Sequence, residues 1–334
     1  MHSMLDYIDH LEADRFSPLG DFPVILTDAG RWERTAAPIQ AIVIGHDLSG
    51  NLPVVDPALF DLLVTSAIDA PAPWVSISGD KIDAQLEALA AAVKAYPIPA
   101  TILCQTLRLS EALPFAMALE AESMAYSTLL GGADFAQWRN DHPCPPASTT
   151  REELVRITRE RNHVTLTLDH PADNNSMSAG MRDAFFGALA NILDDPTRPS
   201  LTLRAAGKSF STGGALWEFG SAGDLAQAHI VRTMHSCTRA LYALGKRVEV
   251  VFHGGCVGSG IEIPAAAHRR IALPSAWFQL PELRMGLIPG AGGTVSIGRA
   301  IGRHRTTWMV LTGKRINATR AHQWGLVHTI KDVA

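Results

Sequence analysis

His253-Gly254-Gly255-Cys256-Val257-Gly258-Ser259-Gly260-Ile261-Glu262 is the stretch whose reading decides the fold. Working outward, it is followed by Gln279-Leu280-Pro281-Glu282 and then by Gly286-Leu287-Ile288-Pro289-Gly290-Ala291-Gly292-Gly293-Thr294. The two glutamates stand among small and apolar neighbours. Glu262 follows a Gly-rich turn and sits in an otherwise apolar run, Ile261 to Ala267. Burial of a carboxylate disfavours its charged form and raises its pKa. Two such groups suit acid–base chemistry at neutral pH, one ionised to accept a proton and one protonated to give it. Each part alone has an ordinary explanation. A Glu near a helix start is a dipole partner, and a Gly-rich turn is a cap or packing device. Pro289 to Gly293 reads only weakly as a phosphate cradle, because it lacks GxGxxG spacing and the Lys-Ser/Thr of a P-loop.

The order of the parts is more specific than any one of them. Beyond Gly293 come Leu311-Thr312-Gly313-Lys314-Arg315-Ile316, Ala318, Ala321 and Trp324-Gly325-Leu326-Val327. Upstream lie Gly207-Lys208-Ser209-Phe210-Ser211-Thr212-Gly213-Gly214-Ala215-Leu216, and before them Val164 to Pro171 and Asn174-Asn175-Ser176-Met177. This series resembles the crotonase, or enoyl-CoA hydratase/isomerase, family over residues 151–330. The resemblance implies an α/β fold with a ββα spiral core, and an enoyl-CoA hydratase that adds water across the conjugated double bond of a thioester. Other reactions of the family, isomerisation or thioester hydrolysis, remain open, and so does a non-catalytic acyl-CoA-binding or assembly subunit.

Composition fits such an enzyme. The chain of 334 residues is 47% hydrophobic and 19% charged, which suits one large domain with an accessory segment. A net charge of −4 gives no basic field for nucleic acid or anionic membrane. Arg269-Arg270 and Arg303-His304-Arg305 are local basic clusters, read as solvated surface or as a contact for phosphate groups. Cys104, Cys144, Cys237 and Cys256 have no metal-type spacing and suggest buried apolar positions in a reducing compartment. The N-terminal stretch is charged and has no apolar signal region. With no uncharged run of spanning length, the expected location is cytoplasmic.

Four segments are expected. Residues 1–80 read as a small accessory α/β unit, with strands at 23–27, 41–45 and 74–78 and a helix at 57–66. Residues 81–140 read as helices, beginning with the amphipathic stretch Ile82 to Tyr96, and 141–150 as a Pro-rich linker. Residues 151–334 carry the core, with strands at 164–168, 200–204, 247–252 and 270–273 and helices at 181–193, 225–244 and 292–301. The family usually continues past the Gly-Leu-Val element with helices that cover the acyl-CoA site. Here Ile82 to Arg139 looks like that region, so the order of parts reads as permuted, with a helical lid placed before the core.

The resemblance also implies roles. Glu262 holds and deprotonates water, and Glu282 protonates the α-carbon. The backbone N–H groups of Gly214 and Ser259 form the oxyanion hole, Ala215, Leu216 and Trp217 bind the substrate, and Leu216, Trp217 and Phe219 partly line the acyl pocket. The family often has Gly at the position of Ser259, Ala-Asp at Gly214-Ala215 and Asp at His268. A backbone donor survives such side-chain changes. No metal or cofactor is expected beyond the CoA of the substrate. The implied assembly is a homotrimer or a dimer of trimers.

Overall fold

The structure, a computed structural model, describes residues 8–33, 35, 37–143 and 153–332. Cys144 and most of the expected linker lie outside the described residues.

The first strands are β1 (Val24–Asp28), β2 (Ile42–Asp47), β3 (Leu62–Thr65) and β4 (Val75–Ser76), forming one parallel sheet in that order. The helix expected over 57–66 is replaced by a single 3₁₀ turn, Pro57–Leu59, capped by Asp56, and then by β3. A short apolar run does not distinguish strand from helix, and here all four β3 side chains are buried. Alternation along β2 divides the sheet between two cores. Ile42 and Ile44 join the main core, whereas Val43 packs with Ile25, Phe60 and Leu63.

Four helices follow: α1 (Ile82–Ala95), α2 (Pro97–Ala112), α3 (Phe115–Leu130) and α4 (Ala133–Asp141). Pro97 both ends α1 and opens α2, where its missing N–H costs nothing. On α3, Phe115, Ala118, Leu119, Glu122 and Ser123 make the buried stripe at helical spacing.

The core sheet then forms from β5 (Val155–Glu160), β6 (His163–Leu168), β7 (Ser200–Ala205), β8 (Val248–Phe252), β10 (Arg269–Ala272) and β13 (Thr329–Ile330). Their order is β13-β10-β8-β7-β6-β5, parallel except for the β5–β6 hairpin. A smaller sheet joins β9 (Gly255–Val257), β11 (Trp277–Gln279) and β12 (Ile316–Asn317) in the order β12-β11-β9. Between strands run α5 (Ala179–Asp194), α6 (Leu225–Met234), α7 (Cys237–Leu244) and the one-turn α8 (Ser259–Glu262). They are followed by α9 (Gly293–Ile301), α10 (Arg303–Thr312) and α11 (Ala318–Trp324). The helix expected over 225–244 is two helices, because Ser236 interrupts it and caps α7 by accepting from the Arg239 N–H at 3.2 Å.

Helices α2 and α3 pack on α9, and α3 also packs on α6. Phe115, Ala118 and Leu119 of α3 bury Val295 of α9. The Arg303-His304-Arg305 cluster, expected at the surface, is buried. Arg303 donates to the carbonyls of Pro57 and Phe60, and Arg305 to those of Ala70 and Trp74. These guanidinium groups satisfy loop carbonyls of the first sheet and tie it to α10. Arg270 plays a similar part at the far edge, donating to the carbonyls of Ala265, Ala267, Gly325 and Leu326. Cys104, Cys237 and Cys256 are buried free thiols. Among the described residues no single helix is long and apolar enough to cross a membrane.

Candidate active site

The turn between β9 and α8 sets the geometry. At Gly258 the backbone has φ = +50°. A Cβ placed there would lie 2.8 Å from Glu282 Oε1, 3.8 Å from Glu262 Oε1 and 3.8 Å from the Cα of Gly213. One point above Gly258 therefore lies beside both carboxylates and beside the Gly213-Gly214 loop. Both the positive φ and the lack of room require glycine.

The two Gly-rich loops meet because their backbones pair. Ser211 donates to the Gly255 carbonyl, and Val257 donates back to the Ser211 carbonyl at 3.0 Å. This pairing brings Gly214 and Ser259 to one cavity of about 170 Å³, also lined by Leu216, Glu262 and Glu282. Among the described residues neither the Gly214 N–H nor the Ser259 N–H has an acceptor. Ser259 opens α8, where the first amides of a helix have no internal partner.

Placement of the remaining expected residues is mixed. Leu216 and Phe219 line the cavity, but Trp217 does not. The turn Leu216–Glu218 is 3₁₀, so side chains three apart share a face and the two between them, Trp217 included, point elsewhere. Ala215 is fully buried and borders the adjoining cavity beside Glu218 and Phe219.

The N-terminus of α9 fixes the carboxylates. Glu262 Oε2 accepts from the N–H groups of Ala291 at 2.7 Å and Gly293 at 3.1 Å. Glu122, reaching in from α3, accepts from Gly292 at 2.6 Å, from the Thr294 N–H at 2.8 Å and from the Thr294 hydroxyl at 2.7 Å. Two buried carboxylates thus share the orphan amides and the positive end of this helix. The amides suggested as a weak phosphate cradle are already occupied by protein.

Burial dominates the titration of these groups. It pushes Glu262 well above the usual carboxylate range, reinforced by the nearby Glu282 and Glu122. Burial likewise raises Glu282 to about 8, with Glu122 adding to the rise. Glu122 is raised by burial to about 7 against the opposing pull of its three donors. Such close groups release protons as a set. Hydrogen bonds still distinguish them. Glu262 receives two N–H donors, which favour its charge, whereas among the described residues the buried Glu282 Oε2 has no hydrogen-bond partner.

Two further side chains complete the cavity without having been expected there. Tyr126 of α3 and Arg232 of α6 both line it. The Tyr126 ring packs against Gly290, and the Arg232 guanidinium lies 4.8 Å from the ring centroid. Among the described residues no group of three or more His, Cys, Asp or Glu side chains is placed to hold a metal.

The sequence pattern of the enoyl-CoA hydratase/isomerase family matches residues 158–333. The chain is 32% identical over 185 residues to the 1,2-epoxyphenylacetyl-CoA isomerase of Escherichia coli (strain K12), covering 54% of this chain and 70% of that protein. It is 33% identical over 187 residues to the fatty acid oxidation complex subunit alpha of Shewanella sp. (strain W3-18-1), covering 54% of this chain but only 26% of that larger protein. Among solved structures, the enoyl-CoA hydratase of Bacillus anthracis is similar at 28% identity and a TM-score of 0.50, over 54% of this chain and 71% of that one. Motif order, sheet topology and these similarities agree that the fold is that of the crotonases and that this chain belongs to the enoyl-CoA hydratase/isomerase family.

Proposed function

We propose that the protein is an enoyl-CoA hydratase. The observation that carries this reading is the convergence of the Glu262 and Glu282 oxygens on one point above Gly258, beside two backbone N–H groups that have no acceptor among the described residues. The thioester carbonyl oxygen accepts from the N–H groups of Gly214 and Ser259. Glu262 takes a proton from water as the water oxygen bonds to the β-carbon. The double-bond electrons move toward the thioester oxygen, where the fixed donors stabilise the developing enolate. Glu282 then gives its proton to the α-carbon, and the proton held by Glu262 returns to Glu282 through the site. Water addition exchanges no electrons with a cofactor, so no step draws on a group outside these residues and the substrate.

The helices α1 to α4 have a place in this reading. We propose that they stand where the relatives carry C-terminal helices. In support, α3 delivers Glu122 and Tyr126 to the site, and the match to the B. anthracis enzyme leaves part of that chain unpaired.

Loss of conjugated-thioester absorbance with a panel of enoyl-CoA substrates tests the reaction, with the products identified by mass. A product heavier by one water supports hydration. A product of unchanged mass with a shifted double bond identifies isomerisation, and free CoA identifies hydrolysis.

A further inference from the structure

The cavity that holds the oxyanion loops is also lined by a cation whose role in water addition is unassigned. Arg232 borders the cavity that holds Glu262 and Glu282, and it also borders a second chamber of about 90 Å³. The two spaces share Met177, Arg232, Gly290 and Ala291, so Arg232 stands at their junction.

The guanidinium is held in place, but by neutral groups. Its Nη1 donates to the Ser123 hydroxyl at 2.9 Å, the Ser127 hydroxyl at 3.1 Å and the Ser123 carbonyl at 3.3 Å. Its plane rests over the Tyr126 ring, a favourable seat for a cation. Among the described residues it makes no hydrogen bond through Nε or Nη2, and no ion pair with a carboxylate. Guanidinium presents five donors, so the remainder are available to a ligand.

Among the described residues no nearby carboxylate bonds to it, although Glu122 attracts it. Glu122 also borders the second chamber, but its oxygens are taken by Gly292 and Thr294. Glu120, on the same wall, is exposed. Asp183 serves Arg182 at 2.8 Å and lies 3.5 Å from His235. Burial also costs Arg232 part of its hydration and lowers its pKa. Glu122 attracts this partly buried cation without forming an ion pair with it, so its free donors still face the cavities, and Arg is the side chain suited to gripping a carboxylate with two donors.

We propose that Arg232 is a specificity residue, and that the acyl groups this site selects end in a carboxylate that pairs with it across the junction of the two cavities. The inference rests on the acyl-CoA reading of the site. It adds that the acyl chain runs from the oxyanion loops past the two glutamates to α6. Tyr126 and the two serines are positioning residues that hold the guanidinium toward the chain.

Binding of saturated thioesters tests this apart from turnover. Glutaryl-CoA and valeryl-CoA have acyl chains of equal carbon number, and only the first ends in a carboxylate. By calorimetry, the wild-type protein should bind glutaryl-CoA about 10- to 100-fold more tightly, the range for a buried charge-assisted hydrogen bond. Arg232→Gln should lose that preference, and Arg232→Lys should regain part of it. Equal affinities in the wild type, or tighter binding of valeryl-CoA, would overturn the proposal without any variant needing to fold. A preference that survives in a folded Arg232→Gln protein would also overturn it. Glutaconyl-CoA and pentenoyl-CoA then separate the two readings. Hydration of pentenoyl-CoA without any preference for the charged ligand leaves the hydratase standing and removes this inference. A clear glutaryl preference without hydration of either enoyl substrate supports the carboxylate site and removes the hydratase.

Discussion

Glu262 and Glu282 are chemically alike and differ in what touches them. Two amides of the α9 turn donate to Glu262, whereas among the described residues the buried Glu282 Oε2 has no hydrogen-bond partner. Burial raises both, and the proposed mechanism needs the pair to carry one proton, held on Glu282. Replacing either by Gln should lower hydration about 100- to 10,000-fold, while binding of a saturated acyl-CoA changes little. Turnover near the wild-type rate in either variant would remove that residue from the mechanism. The pH profile follows from the same pair. With Glu282 raised to about 8, activity should decline as pH rises through that value and the donated proton is lost. It should also decline at low pH, where Glu262 is protonated as well. A kcat profile measured on the wild type and flat above the pKa of Glu282 would contradict this assignment. The oxyanion donors give a second contrast. Ser259→Gly keeps the N–H and should reduce activity only a few-fold. Gly214→Pro deletes one N–H and fixes φ, and should cost about 100- to 1,000-fold in kcat. The reverse ranking in steady-state kinetics would mean that the donors are assigned wrongly.

At the level of elements, the junction of α3 with α9 holds the site together. Glu122 ends three hydrogen bonds from the α9 entry. Glu122→Gln places an NH₂ against at least one of those donors, and should destabilise the fold by about 1–3 kcal/mol, read by denaturant unfolding. The pH dependence has a definite sign. The Glu122 pKa is 4.5 in the unfolded reference and about 7 in the fold. Between these values the folded state binds more protons, so the contribution is fully present below the unfolded pKa and is lost as pH rises through 7. Glu262 and Glu282 act with the same sign. Wild-type stability should fall across this window, and Glu122→Gln should flatten the fall without removing it. An unchanged slope in the variant would mean that Glu122 does not titrate there.

Across the whole molecule, segments far apart in sequence close over one another. Helices α2 and α3 cover α9, and Arg303 and Arg305 fasten the first sheet through its loop carbonyls. Removing residues 1–140 would expose Val295 and the apolar face of α9, and leave the amides of Gly292 and Thr294 without acceptors. An exposed apolar face of this kind favours aggregation, and the α9 entry would lose the carboxylate that organises it. The fragment 141–334 should accordingly be insoluble or inactive, as followed by light scattering and enoyl-CoA turnover. A soluble fragment with full activity would refute the proposal that α1 to α4 complete the site.

The order of glycines and glutamates was enough to give the core fold and the carboxylate pair. Those motifs are local: a positive φ at Gly258 and the close approach of two loops demand glycine wherever the rest of the chain goes. The Glu inside the apolar stripe of α3 was a visible signal for Glu122, but nothing local names its partners, which are 170 residues away at Gly292 and 172 residues away at Thr294. Tyr126 and Arg232 are ordinary helical residues until α3 packs on α6. The arginines of α10 look like solvated charge until loop carbonyls meet them, and β3 reads as a helix until neighbours bury its side chains. Short-range pattern determines backbone conformation and the chemistry a motif can carry. Which side chains share a cavity, which charges lose their water and which of them stay unpaired depend on burial and long-range contact, and these exist only once the chain has folded.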